Sequence, residues 1–320
     1  MIKKKEIFCT LGPSTFNKDF LKFSNSKISL LRLNMSHIEF KKLKRTIMFI
    51  RKYSKVPICI DTEGAQIRTK IKKPRKYKTN QKLSIYRQNG NFNIYPNEVF
   101  GKIKKSDFLS VGFDGLEIKV IKVVKNILYC KVITGGMIEN NKGIHLINRS
   151  IKLNFLTEKD KAAINLAKKM SINHYALSFT NTHKDILKFN KLLKNQIKIF
   201  KIETKDALKN LNKIIFAGQN FLIDRGDLSK GVSIEMLPFV QRKILKVAKA
   251  NNKKVYVATN FLESMVNNKY PNRGEANDIY NTLESGAAGL VLSAETAIGK
   301  YPKECVIFLK KIIKVFNYYK

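Results

Sequence analysis

Short apolar runs alternate with amphipathic segments along most of the chain. Residues 7–11, 28–33 and 57–60 have the length and composition of buried parallel strands, and polar residues follow each run. Between the second and third runs, the apolar positions of residues 38–53 recur close to a helical period. Strands that alternate with helices and carry polar residues at their carboxyl ends are typical of an α/β barrel.

The pattern changes between residues 70 and 153, where no long amphipathic helix is predicted. Short β-rich pieces cover residues 82–86, 91–95, 116–124 and 127–133, with Asn-Gly and Gly-Gly turns among them. This segment is therefore predicted to be a small all-β domain inserted after the third barrel strand. An insertion at that end of a barrel stands over the active-site face.

The alternation of strands and helices resumes after residue 153. Strands are predicted at 174–179, at 197–203, at 221–227, at 254–258 and at 289–292. Helices are predicted from a cap at Thr157 and over 184–193, 206–214, 235–251, 275–284 and 302–316. The prediction is an α/β fold, a TIM (β/α)8 barrel formed by residues 1–69 and 154–320, with residues 70–153 as an inserted β-rich lid domain.

Two tripeptides at predicted strand ends organise the candidate site. Lys201-Ile202-Glu203 and Arg225-Gly226-Asp227 each follow a short apolar run. Glu203 and Asp227 can share a hard divalent cation such as Mg²⁺, and Lys201 points the same way as Glu203 because side chains alternate along a strand. A cation and an ammonium at one pocket suit a phosphorylated, anionic substrate. Taken alone, the tripeptides also fit an ordinary strand end with a surface ion pair and an ordinary turn.

The other predicted strand ends add polar groups to the same face. Arginines there suit phosphate, and oxygen ligands suit hard cations. No Ser-His-Asp triad, Walker loop or dinucleotide fingerprint occurs, and the four histidines are scattered without metal-type spacing. The residues at these ends are Arg32, Asn34, Ser36, Asp61, Thr62, Arg68, Thr259, Ser293 and Glu295.

The chain is strongly basic, with 62 Lys and Arg against 24 Asp and Glu and a net charge of +38. Such a charge is the usual indication of a polyanion partner, either nucleic acid or an acidic membrane. The lysines, however, are spread along the whole chain. Asn and Ile, whose codons share an A and T bias with those of Lys, are also abundant. We interpret the charge as compositional drift and expect no specific nucleic-acid partner and no membrane partner.

Cysteine usage and the amino terminus indicate the compartment. The four cysteines are far apart and form no CxxC pair, which argues against a zinc site and a disulfide framework and indicates a reducing compartment. The first residues carry no apolar signal core, and no apolar run has the length of a membrane span. We therefore expect a cytoplasmic protein.

The ordered motifs resemble those of the pyruvate kinase family from residue 7 to about residue 316. They are C-T-L-G-P-S at 9–14, R-L-N-M-S-H at 32–37, D-T-E-G at 61–64, K-I-E at 201–203, R-G-D-L at 225–228, A-T-N-F-L-E-S-M at 258–265 and L-S-A-E-T at 292–296. The resemblance implies phosphoryl transfer from phosphoenolpyruvate to ADP, which gives pyruvate and ATP in the last step of glycolysis. It also implies Mg²⁺ and K⁺ as cofactors and a mobile β-rich lid.

The resemblance implies a role for each candidate residue. Glu203 and Asp227 correspond to the ligands of the substrate-bridging Mg²⁺, and Lys201 to the group that stabilises the transferring phosphoryl. The Gly226 backbone and Thr259 correspond to the site for the substrate carboxylate. Arg32, Arg68 and Lys159 correspond to residues that face the nucleotide phosphates or the transferring group. The implied K⁺ site is formed by Asn34, Ser36, Asp61 and Thr62, and Asn34 also lies near the nucleotide. Ser293 and Glu295 correspond to a proton relay to the enolate.

The sequence departs from the family pattern at several of these positions. Gln66 stands where most members have Glu and potassium-independent members have Lys, so K⁺ dependence stays open. Glu63 replaces the usual Lys, Asn260 the usual Gln, and Asp224 the usual Ala. No counterpart of the family's C-terminal effector domain follows residue 316. We therefore expect neither allosteric control nor the usual tetramer, although a homo-oligomer stays open.

Three functions are compatible with these observations. The first is an active, minimal pyruvate kinase. The second is a catalytically decayed barrel retained as a basic nucleic-acid-binding or scaffold protein, and the third is a related barrel lyase acting on pyruvate-like substrates with Mg²⁺. All motif residues expected to contact metal or phosphate are present, which favours the first, since buried charges are costly and are lost early from a decaying site. The lid and the Arg32-Asn34-Ser36 site argue against the lyase.

Overall fold

The computed structural model describes residues 5–112, 115–149 and 151–319. The chain divides into two compact units, one formed by Met1–Gly64 with Glu158–Lys320 and the other by Ala65–Thr157. Among the described residues, no helix combines the length and the hydropathy that a bilayer crossing requires.

The first unit begins with two strand–helix pairs and a third strand. These elements are β1 (Glu6–Thr10), α1 (Lys18–Ser24), β2 (Leu30–Asn34), α2 (Phe40–Tyr53) and β3 (Ile58–Asp61). The Asn17 side chain caps α1 by accepting a hydrogen bond from the backbone N–H of Phe20. On α2, the residues Leu43, Ile47 and Ile50 form one buried face, which confirms the helix predicted from their spacing.

The second unit consists of short strands and a 3-10 helix, Asn97–Lys102. The strands are β4 (Ile67–Ile71), β5 (Arg75–Tyr77), β6 (Lys82–Tyr86), β7 (Phe92–Tyr95), β8 (Phe108–Val111), β9 (Leu116–Val124), β10 (Ile127–Thr134), β11 (Gly136–Ile138) and β12 (Gly143–Leu146). The strands β10-β6-β7-β4-β12-β8-β9 close into a barrel of their own, while β5 and β11 pair separately. A single apolar core, which includes Ile85, Leu109 and Ile118, fills this unit. As predicted, no α-helix occurs among its described residues.

The first unit then continues with five further strands and their helices. In chain order they are α3 (Glu158–Lys169), β13 (His174–Leu177), α4 (His183–Leu192), β14 (Ile197–Ile202), α5 (Lys205–Lys209), α6 (Leu211–Ala217), β15 (Asn220–Asp224), α7 (Arg225–Leu228), α8 (Leu237–Ala250), β16 (Lys254–Ala258), α9 (Arg273–Glu284), β17 (Gly289–Leu292), α10 (Ala294–Ala297) and α11 (Pro302–Tyr318).

Eight parallel strands of the first unit close into one barrel. Their order is β1-β17-β16-β15-β14-β13-β3-β2, and β1 pairs with β17 to complete the ring, with Phe8 opposite Val291. The interior holds a layer of buried side chains that includes Phe8, Leu222 and Tyr256. The predicted TIM barrel with an all-β insertion after its third strand is confirmed. Because the strands are parallel, their carboxyl ends meet at one rim, where sites of such barrels lie.

Two local predictions differ from the structure. The helix predicted over 206–214 is two helices, α5 and α6, because Asn210 interrupts it: its side chain donates to the carbonyls of Asp206 and Asn181. The sixth strand was predicted to end at Asp227 but ends at Asp224. The next residues form the single turn α7, since the N–H of Gly226 bonds the hydroxyl of Thr259 instead of a neighbouring strand.

Candidate active site

Strand β14 supplies the central ion pair of the rim. The Nζ atom of Lys201 lies 2.7 Å from Oε1 of Glu203, and both side chains are almost fully buried. The second oxygen of Glu203 accepts a hydrogen bond of 2.6 Å from the backbone N–H of Phe179, which follows the neighbouring strand β13. Glu203 is thus fixed from one side by a backbone donor and presents its other oxygen to the rim.

Carboxylates from three strand ends surround the Lys201 ammonium. Besides Glu203, Oδ2 of Asp61 lies 3.5 Å from Nζ and Oδ2 of Asp224 lies 3.6 Å from it. Burial alone lowers the pKa of Lys201, but the negative charges of these three carboxylates outweigh burial and raise that pKa above its ordinary value. Lys201 is therefore a fixed cation at neutral pH.

Three carboxylates at the ends of β14 and β15 could hold a metal ion. One oxygen each of Glu203, Asp224 and Asp227 lies within 4.8 Å of the other two. Burial raises the pKa of Glu203. Lys201 lowers it, but the charges of Asp224 and Asp227 raise it further, and the pKa stays above its ordinary value. Crowded carboxylates of this kind suit a hard cation. Glu203 and Asp227 are the two members predicted for this role from the sequence, in which Asp224 stands out only as a departure from the family pattern.

Arg32 connects β2 to both of its neighbours in the barrel. Its Nε donates to Oγ1 of Thr10 at 3.0 Å, and one terminal nitrogen donates to Oγ of Ser293 at 3.4 Å. The other terminal nitrogen lies 3.4 Å from Oδ2 of Asp61. A second fixed cation therefore lies beside Asp61, the carboxylate that also contacts Lys201.

The segment after β16 has an unusual backbone. Thr259 has a φ of +74° and Asn260 a φ of +58°, and a positive φ in a β-branched residue is rare and strained. Arg225 holds this backbone in place, because its Nε donates to the Thr259 carbonyl at 2.9 Å. A terminal nitrogen of Arg225 donates to Asp278 at 2.7 Å and so fixes the guanidinium. The Thr259 hydroxyl accepts a hydrogen bond of 2.9 Å from the N–H of Gly226. These contacts bring the predicted pair Gly226 and Thr259 together.

The residues predicted around K⁺ lie along the ends of β2 and β3. Asn34 is opposite Asp61 in the strand register, and its side-chain oxygen accepts from the N–H of Ser36 at 2.9 Å. Ser178 is a neighbour of these residues that the sequence did not predict. Its Oγ lies 3.2 Å from Oδ1 of Asp61 and 2.7 Å from the Thr62 carbonyl, and it accepts from Lys201 at 3.3 Å. The signal that could have identified Ser178 from the sequence is its position directly after a buried strand.

Ser293 and Glu295 follow β17 and are held together. The carboxylate of Glu295 accepts from the backbone N–H groups of Ser293 at 2.7 Å and Leu262 at 3.2 Å. Glu295 therefore fixes two loops of the rim, while the Ser293 hydroxyl faces Arg32.

Two predicted nucleotide contacts have other partners in the structure. Lys159 donates to Oε1 of Glu63 at 2.8 Å and also to the carbonyl of Met35. Arg68 lies on β4 of the second unit, where its guanidinium donates to the Asn141 carbonyl at 3.5 Å.

The fold and the rim define an α/β barrel with buried cations beside a carboxylate cluster at the carboxyl ends of its strands. A family model described as the pyruvate kinase barrel domain matches residues 2–306. The chain is 31% identical to the pyruvate kinase of Thermotoga maritima, with 98% of this chain and 71% of that protein aligned. It is 34% identical to the pyruvate kinase of Buchnera aphidicola subsp. Schizaphis graminum and 31% identical to that of Clostridium perfringens, in each case over 98% of this chain and 70% of the relative.

The chain belongs to the pyruvate kinase family. Its function is accordingly that of a kinase in glycolysis, and the alternative of a decayed scaffold barrel is not favoured. Members of this family generally use Mg²⁺ and K⁺.

Proposed function

We propose that the barrel rim transfers the phosphoryl group of phosphoenolpyruvate to ADP, with Lys201 and a divalent cation neutralising the charge that moves. The observation that carries this proposal is the buried Lys201 ammonium, held within 3.6 Å of three carboxylates, one of which belongs to the metal-type cluster. Phosphoryl transfer needs positioning and charge neutralisation more than covalent chemistry, and fixed cations supply both.

The residues fit a Mg²⁺ ion held by Glu203 and Asp227. Oε1 of Glu203 is buried and accepts no hydrogen bond among the described residues, although an ammonium lies beside it. A buried carboxylate oxygen that accepts no hydrogen bond can still bind a cation. With a second carboxylate nearby, it suits a hard cation. When bound, Mg²⁺ supplies positive charge to the phosphoryl oxygens and to the enolate that remains.

Lys201 and Arg32 are the protein's own cations that neutralise the charge of the transferring phosphoryl group. Lys201 donates to the oxygens of the transferring phosphoryl, where negative charge is spread in the transition state. Arg32, oriented by Thr10 and Ser293, presents its planar donors to the same group. The two cations act without reorganisation because their carboxylate and hydroxyl partners already hold them in place.

Gly226 and Thr259 bind the carboxylate of phosphoenolpyruvate. The Gly226 N–H and the Thr259 hydroxyl bond each other at 2.9 Å, and both groups turn to the substrate carboxylate when it arrives. The Ser293 hydroxyl, positioned by the bond of its own backbone N–H to Glu295, gives its proton to the enolate carbon and regains one from solvent. Asn34, Ser36, Asp61 and Thr62 hold K⁺, while Asn34 and Lys159 contact the nucleotide.

The remaining partners are proposed on the same basis. The substrates are phosphoenolpyruvate and ADP, and no specific nucleic acid takes part. The enzyme works in the cytoplasm, and a homo-oligomer is compatible with it.

A coupled assay of pyruvate formation tests the proposal. Purified chain is mixed with phosphoenolpyruvate and ADP in the presence and absence of Mg²⁺, and with K⁺ or a tetramethylammonium salt. We expect pyruvate only when Mg²⁺ is present, and less of it without K⁺. Glu203→Gln, which keeps the shape but removes a charge from the proposed metal site, should abolish the product. Folded protein that forms no pyruvate under any of these conditions would overturn the proposal.

A further inference from the structure

Asp224 is a buried carboxylate with few partners. It ends strand β15 and is 6% exposed. Among the described residues its carboxylate accepts no hydrogen bond, and its ion pair with Lys201 is long, at 3.6 Å. Glu203 already contacts the same ammonium at 2.7 Å. Burying a charge is costly unless it is paired or binds a metal, so Lys201 alone does not account for Asp224.

The charges joined by ion pairs in the barrel rim do not balance. Arg32 and Lys201 contact Asp61 and Glu203, and these two cations and two carboxylates would be neutral together. Asp224 adds a third carboxylate to the group. Its oxygens also lie with those of Glu203 and Asp227, all within 4.8 Å. The carboxyl group without a cation of its own is therefore located at the metal-type cluster.

We propose that Asp224 is a third carboxylate ligand of the divalent cation and that it tightens the binding of this ion to the substrate-free chain. The proposal rests on the proposed function, in which Glu203 and Asp227 hold the same ion. Three carboxylates bind a divalent cation more tightly than two, because ligand charge raises the affinity of oxygen sites. The ion is therefore held at a lower free concentration than Glu203 and Asp227 alone would require.

The position of Asp224 also sets the order of binding. Its Oδ1 lies 3.5 Å from the point that a Cβ on Gly226 would occupy, and therefore beside the backbone proposed to bind the substrate carboxylate. Without the cation, the Asp224 charge repels an anionic substrate at that point. With the cation in place the repulsion is neutralised, so the ion precedes phosphoenolpyruvate.

The test measures Mn²⁺ binding to the full chain in the absence of substrates. The electron paramagnetic resonance signal of free Mn²⁺ is the readout. We expect the unaltered chain to bind Mn²⁺ and Asp224→Asn to raise the Kd by roughly 10-fold or more, the loss that partners of a metal site commonly produce. Asp206→Asn, which removes one exposed carboxylate from α5, is the matched control and should leave the Kd unchanged. Far-UV circular dichroism checks that each variant is folded.

Glu203→Gln separates this proposal from the proposed function. If Glu203→Gln weakens Mn²⁺ binding while Asp224→Asn and Asp224→Ala bind as tightly as the unaltered chain, the site stands and the role of Asp224 is overturned. If neither position affects binding, both proposals fall. A chain that binds Mn²⁺ only when phosphoenolpyruvate is present would also overturn the role of Asp224.

Discussion

Lys201 and Glu203 form a 2.7 Å ion pair at the end of β14, and their side chains are 5% exposed or less. One strand end thus carries both the proposed phosphoryl-stabilising cation and a proposed metal ligand. Despite burial, the carboxylates around Lys201 raise its pKa and keep it charged, whereas burial and the charges of Asp224 and Asp227 hold the pKa of Glu203 above its ordinary value even though the ammonium lowers it.

Lys201→Met is expected to nearly abolish phosphoryl transfer. The substitution keeps an unbranched side chain but removes a preorganised charge at the transition state, a loss that commonly reduces kcat by roughly 100-fold or more. The measurement is the coupled pyruvate assay, with Lys209→Met on the exposed face of α5 as a control. A Lys201→Met turnover within about tenfold of the unaltered chain, about 1.4 kcal/mol, would contradict the role.

Asp227→Asn is expected to weaken Mg²⁺ binding more than ADP binding. The substitution removes a charged, hard ligand from the cluster with Glu203, whereas the groups proposed for the nucleotide are unchanged. Parallel Mg²⁺ and ADP titrations by calorimetry measure the two effects. Equal losses in both titrations would argue that Asp227 supports the rim in general.

Gly64→Ala is expected to lower both Tm and kcat. Gly64 has a φ of +66°, and an added Cβ would lie 2.7 Å from the carbonyl oxygen of Ser178. The left-handed backbone alone costs about 1–2 kcal/mol for a residue with a Cβ. Displacement of Ser178 would also disturb Lys201, which donates to its hydroxyl.

Gly101→Ala is the matched control for Gly64, because an added Cβ there meets no atom within 4 Å. It should leave thermal unfolding and turnover close to those of the unaltered chain. A Gly64→Ala variant as stable and active as Gly101→Ala would show that the predicted collision with Ser178 is relieved at no cost.

Arg149 is expected to stabilise the second unit in a pH-dependent manner. Burial raises the pKa of Asp107, but two hydrogen bonds from Arg149, of 2.7 and 2.6 Å, outweigh it and lower the pKa below its ordinary value. Since the folded state favours the charged form, this stabilisation is present at neutral pH and is lost as the pH falls through the lowered pKa, below about pH 4.

Hydrogen–deuterium exchange in β8 and β9 measures this stabilisation within the unit. Arg149→Met should speed exchange at pH 7, and its difference from the unaltered chain should shrink as Asp107 becomes protonated in acid. Lys131→Met, on the exposed side of β10, removes one positive charge without an ion pair to Asp107 and serves as the control. An Arg149→Met effect of the same size at every pH would rule out titration of Asp107 as its cause.

Any nucleic-acid binding by this chain is expected to be weak and independent of sequence. The net charge of +38 comes from lysines scattered along the chain, and binding by such a surface depends on counterion release and falls steeply with salt. Fluorescence anisotropy with two unrelated oligonucleotides, at low and physiological salt, measures both properties. A complex that prefers one sequence and survives physiological salt would refute the interpretation of the charge as compositional drift.

Much of the barrel could be predicted because its signals are local. Strands β16 and β17 lie where their apolar runs predicted them, and α2 lies on its periodic segment. In the second unit the strands β4, β5, β8, β11 and β12 were not predicted. They are short, and β4 and β12 pair with each other across more than 70 positions, with Ile67 opposite Ile144, so neither of these two shows a long alternating pattern of its own.

The residues of the candidate site also divide into those that the sequence predicted and those that only the tertiary structure placed there. Glu203 and Lys201 follow from the chain alone, because a strand places residues two apart on one side. Asp224 and Ser178 become neighbours of Lys201 only when β13, β14 and β15 pair in register. The order of apolar and polar residues thus determines which elements form and which side chains stand at their ends. The distances between those side chains depend on the closure of the barrel, because residues far apart in the chain meet only through the pairing of parallel strands.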